Sequence, residues 1–454
     1  MKNNFLDDTI CAPATAVGSG ALSVVRISGP DALDIAGKVV TLRRGSVTAA
    51  KGYTLHFGTI EDLDDVMVSV FRGPHSYTGE DSVEISCHAS PFIVTNILER
   101  LTRAGARIAG PGEFTRRAFA AGKMDLAQAE AVADMIAADS EASHRVAMNQ
   151  LRGGYSAELR GLRDDLLRIT SLLELELDFS EEEVEFADRA KLTALLEEAS
   201  AHVNRLADSF SAGNAIKNGV PVAIVGAPNS GKSTLLNAIL GEDRAIVSSI
   251  AGTTRDTVEE VFMLEGIKFR LIDTAGLRDT DDLIERLGVE RSRAALSRAR
   301  IVLAVADSSC PQISFEEIES MLSPGQKLIR IVNKSDLLTG AEAGTENRAY
   351  LEKGYICVSA KYGTGIKDLL DALTSSVEPF ESGSTLVTNA RHHEALVKAG
   401  AALGRVTTGL SSVTPGDLLA EDLRDALSHL GSIFGEITTD DILGEIFSNF
   451  CIGK

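Results

Sequence analysis

Gly226-Ala227-Pro228-Asn229-Ser230-Gly231-Lys232-Ser233 fits the pattern GxxxxGK[ST]. It stands directly after the apolar run Val222-Ala223-Ile224-Val225 and directly before the helix-like Thr234 to Leu240. Buried strand, glycine-containing loop and helix, in that order, are the context a phosphate loop requires. The glycines let backbone N–H groups turn inward at a helix N-terminus. Lys232 reaches the β- and γ-oxygens, and Ser233 is placed to ligate Mg²⁺. Asn229, Ser230, Gly231, Lys232, Ser233 and Thr234 are therefore expected nucleotide contacts.

Four further segments follow in the order a guanine-nucleotide switch needs. Gly252-Thr253-Thr254-Arg255-Asp256 offers a switch-loop threonine for the metal. Leu271-Ile272-Asp273-Thr274-Ala275-Gly276 reads as a strand ending in an acidic group near the metal and a glycine that senses the γ-phosphate. In Ile331-Val332-Asn333-Lys334-Ser335-Asp336, the carboxylate of Asp336 can accept from the ring N–H and exocyclic amine of guanine. Adenine cannot donate that pair, and a site built for the pairing rejects the wrong base strongly. Ser359-Ala360-Lys361, after Ile356-Cys357-Val358, closes the base pocket.

Two residues bear on hydrolysis. Leu277 stands where regulatory small GTPases usually carry a glutamine that orients the attacking water, and an apolar side chain cannot do that. Glu285, in the acidic stretch 279–285, is either the substitute or a solvated helix-start carboxylate. Asn229 is either a turn residue or a ligand for a monovalent cation beside the phosphates, where the added charge replaces an arginine finger.

Outward from this centre the 454 residues predict a multidomain α+β protein. Residues 1–118 alternate short apolar runs, such as Ser23 to Ile27 and Asp65 to Val70, with Gly and Pro, as in a mixed α+β domain. Residues 119–217 carry Ala, Leu and Glu at helical spacing, for example Leu166, Leu167, Leu172, Leu173 and Leu177. Residues 218–378 switch to β-branched runs alternating with helices, the pattern of an inserted P-loop α/β (Ras-like) domain. Residues 379–454 are helical again, so the two helical segments can pack as one unit around the insertion.

Composition excludes several classes. Hydrophobic residues make up 44% and charged residues 24% of the chain, which is globular rather than disordered or fibrous. The formal net charge of -20 repels phosphate backbones at long range, so any nucleic acid must be held locally. Five scattered cysteines with no CxxC pair argue against a disulfide framework or a zinc site. With no apolar run near the ~18 residues needed to span a bilayer, the expected location is cytoplasmic, with no membrane partner.

Beyond these motifs the chain resembles the MnmE (TrmE) family of tRNA modification GTPases from its first strand to its last residue. Pro74-His75-Ser76-Tyr77-Thr78-Gly79-Glu80-Asp81 is similar to the family's PxSxTGED. Pro111 to Phe119 followed by Gly122 to Ala131 resembles PGEFxxRAF and K(L/M)DLxQAEA, and Phe450-Cys451-Ile452-Gly453-Lys454 resembles FC[IV]GK. The resemblance implies a homodimer formed through a folate-binding N-terminal domain, and G domains that associate in a potassium-dependent way to hydrolyse GTP. It implies that an FAD-dependent partner, MnmG (GidA), joins in adding a carboxymethylaminomethyl-type group to carbon five of the wobble uridine of certain tRNAs. The one-carbon unit would come from 5-formyl- or methylene-tetrahydrofolate.

By motif match, Asn229, Ser248, Ile250 and Thr253 would hold K⁺, Ser233 and Thr254 Mg²⁺, and Glu285 the hydrolytic water. The whole segment Ser248, Ser249, Ile250, Ala251, Gly252, Thr253 and Thr254 would border the GTP. Arg26, Glu84, Lys123 and Lys454 fall where the family contacts folate: the cations suit its carboxylates and Glu84 its pterin N–H groups. The resemblance also implies that Cys451 is a reactive, catalytic thiol; read without it, Arg26 is an edge-strand charge, Lys454 a frayed terminus, and Cys451 a small core hydrophobe. Cys87-His88-Ala89-Ser90-Pro91 departs from the GHGGP common in relatives. The competing function is a regulatory or ribosome-assembly GTPase whose flanking domains only bind RNA or protein. The Lys123 to Ala131 segment and the Cys-Ile-Gly-Lys ending discriminate against it.

Overall fold

The computed structural model describes residues 7–16, 18, 20–178, 189–241, 246–247, 260–272, 296–310, 315–338, 350–377, 385–412, 414–436, 440–448, 450, 451 and 453. These fall into two compact units. The first comprises Met1–Ala137, Ala147–Val203 and Ala395–Lys454; the second comprises Ala138–Val146 and Asn204–Glu394.

The first unit begins with β1 (Ile10–Pro13), β2 (Leu22–Ser28), α1 (Ala32–Val39), β3 (Thr41–Leu42), β4 (Thr54–Ile60), β5 (Asp64–Phe71), β6 (Ser82–His88), α2 (Pro91–Ala104) and β7 (Arg107–Ile108). The strands form one sheet in the order β3-β4-β5-β6-β2-β1-β7, antiparallel except where β1 meets β7. Strand alternation sorts the side chains by face. Val66, Val68 and Val70 join Val25, Ile27, Val83 and Ile85 in a core with Ile97 and Leu101 of α2 and Leu33 and Ile35 of α1. The alternate positions face away from that core and leave Leu55 61% and Phe57 43% exposed. An antiparallel sheet tolerates one uncovered face.

The chain continues through α3 (Glu113–Ala120), α4 (Leu126–Ala137), α5 (Glu141–Leu151), α6 (Gly154–Asp178) and α7 (Arg189–Asp208). After the second unit it returns as α12 (Ala390–Leu410), α13 (Gly416–Phe434) and α14 (Asp440–Ser448). On α6, Tyr155, Leu159, Leu162, Leu166, Ile169 and Leu173 are buried, at the spacing of one helical face. Leu167, on the other side, is 39% exposed. α13 packs on α6, and α13 buries Leu419, Leu423, Ala426 and Leu430 at the same helical spacing. Leu126, Ala129 and Val132 of α4 cluster with Phe447 and Phe450 at the C-terminal end of the chain.

The second unit contains α8 (Phe210–Asn218), β8 (Val220–Gly226), α9 (Lys232–Gly241), β9 (Ile246–Val247), β10 (Glu260–Leu264), β11 (Ile267–Leu271), β12 (Ile301–Asp307), α10 (Glu316–Ser320), β13 (Lys327–Asn333), β14 (Ile356–Cys357) and α11 (Ile366–Ser375). The sheet order is β14-β13-β12-β8-β11-β10-β9; β14 to β11 pair in parallel, and β10 pairs antiparallel with both β11 and β9. Val222 and Ile224 enter the core on one face with Leu235, Leu236, Leu369 and Leu370, while Ala223 and Val225 enter the core on the other. Burial on both faces explains why β8 and β12 read as unbroken apolar runs. β8 is flanked by strands that come later in the chain on both sides, so the strand order reverses there. The crevice beyond its C-terminal end is the expected ligand site of such a sheet.

Arg117, only 2% exposed, ties α3 to the N-terminal sheet region. It donates to the Asp8 carboxylate at 2.5 Å, to Glu80 at 3.1 Å and to Glu113 at 3.2 Å. Burial alone would raise the Asp8 and Glu113 carboxyls, but the Arg107 and Arg117 guanidinium groups outweigh it and hold both below their ordinary range. A depressed carboxylate contributes stability that is complete above its unfolded pKa and is lost as pH falls through the folded one. The thermal midpoint of the full chain is therefore expected to fall below about pH 4, and Glu113→Gln to lower the neutral-pH midpoint while shrinking that acid drop. Parallel acid limbs for the two proteins would refute the ion-pair origin.

Candidate functional site

The loop between β8 and α9 is shaped by what cannot fit there. Gly226 has φ +154°, and a Cβ at that position would run into the Val305 carbonyl. Asn229 takes φ +61°, a left-handed conformation that asparagine tolerates better than most residues. Lys232 Nζ donates to the carbonyls of Gly226 at 2.9 Å and Ala227 at 2.8 Å, and burial pushes its ammonium below the usual lysine range. The buried Ser230 hydroxyl has no hydrogen-bond partner among the described residues. The loop thus gathers a partly desolvated cation, a spare hydroxyl and the first turn of a helix around one cradle.

Asn333, at the end of β13 and 2% exposed, connects three loops. Its Nδ2 donates to the Ser230 carbonyl at 2.9 Å, and its Oδ1 accepts from the Ala360 N–H at 3.1 Å. The Ser359 hydroxyl donates to Asp336 Oδ1 at 2.5 Å, which leaves the second oxygen of that carboxylate uncommitted by this bond. Lys361 lies over the Tyr362 ring, 5.0 Å from its centroid. The three segments read from sequence as phosphate loop, base reader and pocket closure are one hydrogen-bonded assembly. Sequence reasoning missed Asp307 and Ser308 at the end of β12. The Ser308 N–H donates to the Asn333 carbonyl at 2.9 Å, and Asp307 pairs with Lys334 at 2.6 Å. The signal was an acidic residue closing the apolar run Ile301 to Ala306.

Ser248, Ser249, Ile250, Ala251, Gly252, Thr253, Thr254, Asp273, Thr274, Ala275, Gly276, Leu277, Glu285 and Lys454 lie outside the described residues. Of the residues named for metals, the structure therefore places Asn229 and Ser233. Among the described residues no group of three or more His, Cys, Asp or Glu could hold a metal ion.

A second cluster sits on the N-terminal sheet. Arg26 and Glu84 are directly opposite each other in the β2–β6 register, and Arg26 Nε and Nη2 meet Glu84 Oε1 at 2.9 and 2.8 Å. β2 lies between β6 and β1, so the edge-strand reading of Arg26 is corrected: its charge sits in the sheet interior, neutralised by a cross-strand carboxylate. The guanidinium also stacks 5.3 Å from the centroid of Tyr77 and 5.6 Å from that of Phe114. Lys123 donates to the Pro74 carbonyl, which brings it to the loop that carries Tyr77.

The C-terminal tail reaches the same place. Arg26 Nη1 donates to the Gly453 carbonyl at 3.4 Å, and the Gly112 N–H donates to the Cys451 carbonyl at 3.3 Å. Gly453 has φ +98° and approaches Pro13 so closely that a Cβ would meet its carbonyl oxygen. The core-hydrophobe reading of Cys451 is corrected as well. Phe450 occupies the apolar position, and Cys451 is exposed. Where the chain departs from the glycine-rich pattern, His88 is anchored by Asp64, with Nδ1 2.7 Å from one oxygen and the His88 backbone N–H donating to the other at 2.9 Å.

Two family models and full-length relatives match this chain. Residues 9–123 match the family model described as GTP-binding protein TrmE N-terminus, and residues 126–451 match the MnmE helical domain. A tRNA modification GTPase MnmE from Cytophaga hutchinsonii is 50% identical over 455 residues, covering 98% of each chain. One from Parabacteroides distasonis is 49% identical, covering 98% of this chain and 100% of its own. Among solved structures, the G domain of the T. maritima FeoB iron transporter is 28% identical, covering 35% of this chain and 99% of its own with a TM-score of 0.26.

The Asn333 bridge makes a measurable demand. Asn333→Ala strands a buried carbonyl and a buried N–H, each at a cost of about 1–3 kcal/mol. The second unit is expected to unfold at clearly lower denaturant concentration, with amide exchange at Ala360 accelerated. Unchanged exchange at Ala360 would contradict the bridging role.

Proposed function

The chain belongs to the MnmE family of tRNA modification GTPases and is a GTP hydrolase, and from that premise we propose that it works at two sites, one on each unit. In the second unit, GTP lies in the crevice beyond β8. Its phosphates rest in the loop 226–233 and its base faces Asp336. The observation that carries this is the Asn333 bridge, which joins the phosphate loop to the base-reading and pocket-closing segments by buried hydrogen bonds. Asn229, Ser230, Gly231, Lys232, Ser233 and Thr234 contact the phosphates. Asn333, Lys334, Asp336, Ser359, Ala360 and Lys361 surround the base. Lys232, now held by neutral carbonyls, exchanges them for phosphate oxygens, a stronger charge-assisted partnership.

The crowding at Gly226 and the unpartnered Ser230 hydroxyl fit a phosphate-bearing ligand and its ions. Ser233 and Thr254 would hold Mg²⁺, and Asn229, Ser248, Ile250 and Thr253 would hold K⁺. Bound cations there supply positive charge against the transferring phosphoryl group. Glu285 orients the attacking water, since Leu277 cannot. GTP turnover is expected to be at least about tenfold faster in potassium than in sodium at matched ionic strength. Equal rates in the two salts would remove the cation reading.

Along the chain, residues 1–118 form the folate-binding and dimerisation domain, 119–217 and 379–454 the helical domain, and 218–378 the G domain. The uncovered sheet face, with Leu55 and Phe57 exposed, supports a homodimer formed there. The outward-facing Arg26–Glu84 pair lies beside it in the same sheet. Arg26, Glu84, Lys123 and Lys454 bind a 5-formyl- or methylene-tetrahydrofolate, and Cys451 stands exposed at the same tail. With the FAD-dependent partner MnmG, the pair of sites adds a carboxymethylaminomethyl-type group to the wobble uridine of certain tRNAs. Cells lacking the gene are expected to lose that mass from their wobble uridines; the wild-type gene restores it, whereas a gene encoding Arg26→Ala with Lys123→Ala does not. Full restoration by the double variant would overturn the folate assignment, and unmodified mass in wild-type cells would overturn the reaction.

A further inference from the structure

Asp307 ends β12 beside the base loop and belongs to none of the five nucleotide motifs. Its Oδ2 receives the Lys334 ammonium at 2.6 Å, and its Oδ1 receives the Ser309 N–H at 2.9 Å and the Ser309 hydroxyl at 2.7 Å. Burial alone would raise this carboxyl. The Lys334 and Ser309 donors outweigh that effect and hold it below the ordinary carboxylate range, so it is anionic at neutral pH.

Lys334 is fixed from both ends. Its backbone is left-handed, φ +61°, and its carbonyl accepts from the Ser308 hydroxyl at 2.7 Å. Its Cε lies 4.0 Å from where a Cβ on Gly231 would sit, so the aliphatic stem borders the phosphate loop. Two residues further on is Asp336. The stem therefore borders the loop that holds phosphates, and its backbone lies two residues from the carboxylate that reads the base. A lysine side chain is among the most flexible, and a ligand that must order it binds more weakly.

We propose that Asp307 is a positioning residue for guanine-nucleotide binding: by holding the Lys334 ammonium, it keeps the lysine stem against the phosphate loop as a preformed apolar wall for the nucleotide. This rests on the guanine-nucleotide reading above. Asp307 touches no nucleotide itself; it acts through Lys334.

The test is titration of the full chain with a fluorescent GDP analogue, for wild type, Asp307→Asn, Asp307→Glu, Lys334→Met and the Asp307→Asn/Lys334→Met double variant. Asp307→Asn is expected to weaken binding about tenfold, and Asp307→Glu, which keeps the charge, to recover to within about threefold of wild type. The double variant is expected to bind no more weakly than Lys334→Met alone, because the second change removes a tether that no longer holds anything. Losses that multiply instead, or wild-type affinity in Asp307→Asn, overturn the proposal while leaving the nucleotide site intact. If Asp307→Asn does not fold, wild-type affinity in Lys334→Met overturns it equally. A wild-type chain that binds no GDP removes the underlying reading and this proposal together.

Discussion

One buried side-chain amide organises the nucleotide site. Asn333 donates to a carbonyl of the phosphate loop and accepts from an N–H of the segment that closes the base pocket. A buried polar group that loses its partner is expensive, so each of these loops is held in the position that satisfies the other. The parallel sheet delivers all of them to one edge: β8, β12 and β13 end side by side, and the strand order reverses at β8. The loop conformations are strained or crowded at Gly226, Asn229 and Lys334. Such conformations persist only where the surroundings over-determine them.

The N-terminal sheet is built on a different principle. One face is closed by α1 and α2 around an aliphatic core, and the other carries exposed Leu55 and Phe57 alongside the Arg26–Glu84 pair. Arg26 is half-enclosed by two aromatic rings and reaches the C-terminal tail through the Gly453 carbonyl. The guanidinium is thereby fixed in orientation by its own neighbours, without the rotamer freedom an exposed arginine keeps. The tail itself is held by a glycine that no larger residue could replace without displacing β1.

Much of this was legible in the sequence because the relevant physics is local. The phosphate loop is eight consecutive residues between a strand and a helix. The base reader and the pocket closure each follow an apolar run, and strand or helix period is readable within a dozen residues. The multidomain α+β class, the doubly wound insertion and the helical faces of α6 and α13 follow from those periodicities. What the sequence alone determined was therefore which loops exist, in which order, and what chemistry each can perform.

Tertiary structure decided who holds whom. Arg26 and Glu84 are 58 residues apart, Asn333 and Ser230 are 103 apart, and Arg26 and Gly453 are 427 apart. No periodicity spans such distances. Arg26 became an interior cross-strand charge because β2 is inserted between β1 and β6, and Cys451 became exposed because Phe450 took the apolar position beside Phe447. In the sequence Asp307 is only an acidic residue closing an apolar run, and it acquires its meaning when the neighbouring strand places Lys334 against it. Hydrogen bonds and ion pairs act over about 3 Å, and only the folded chain brings those atoms within that range.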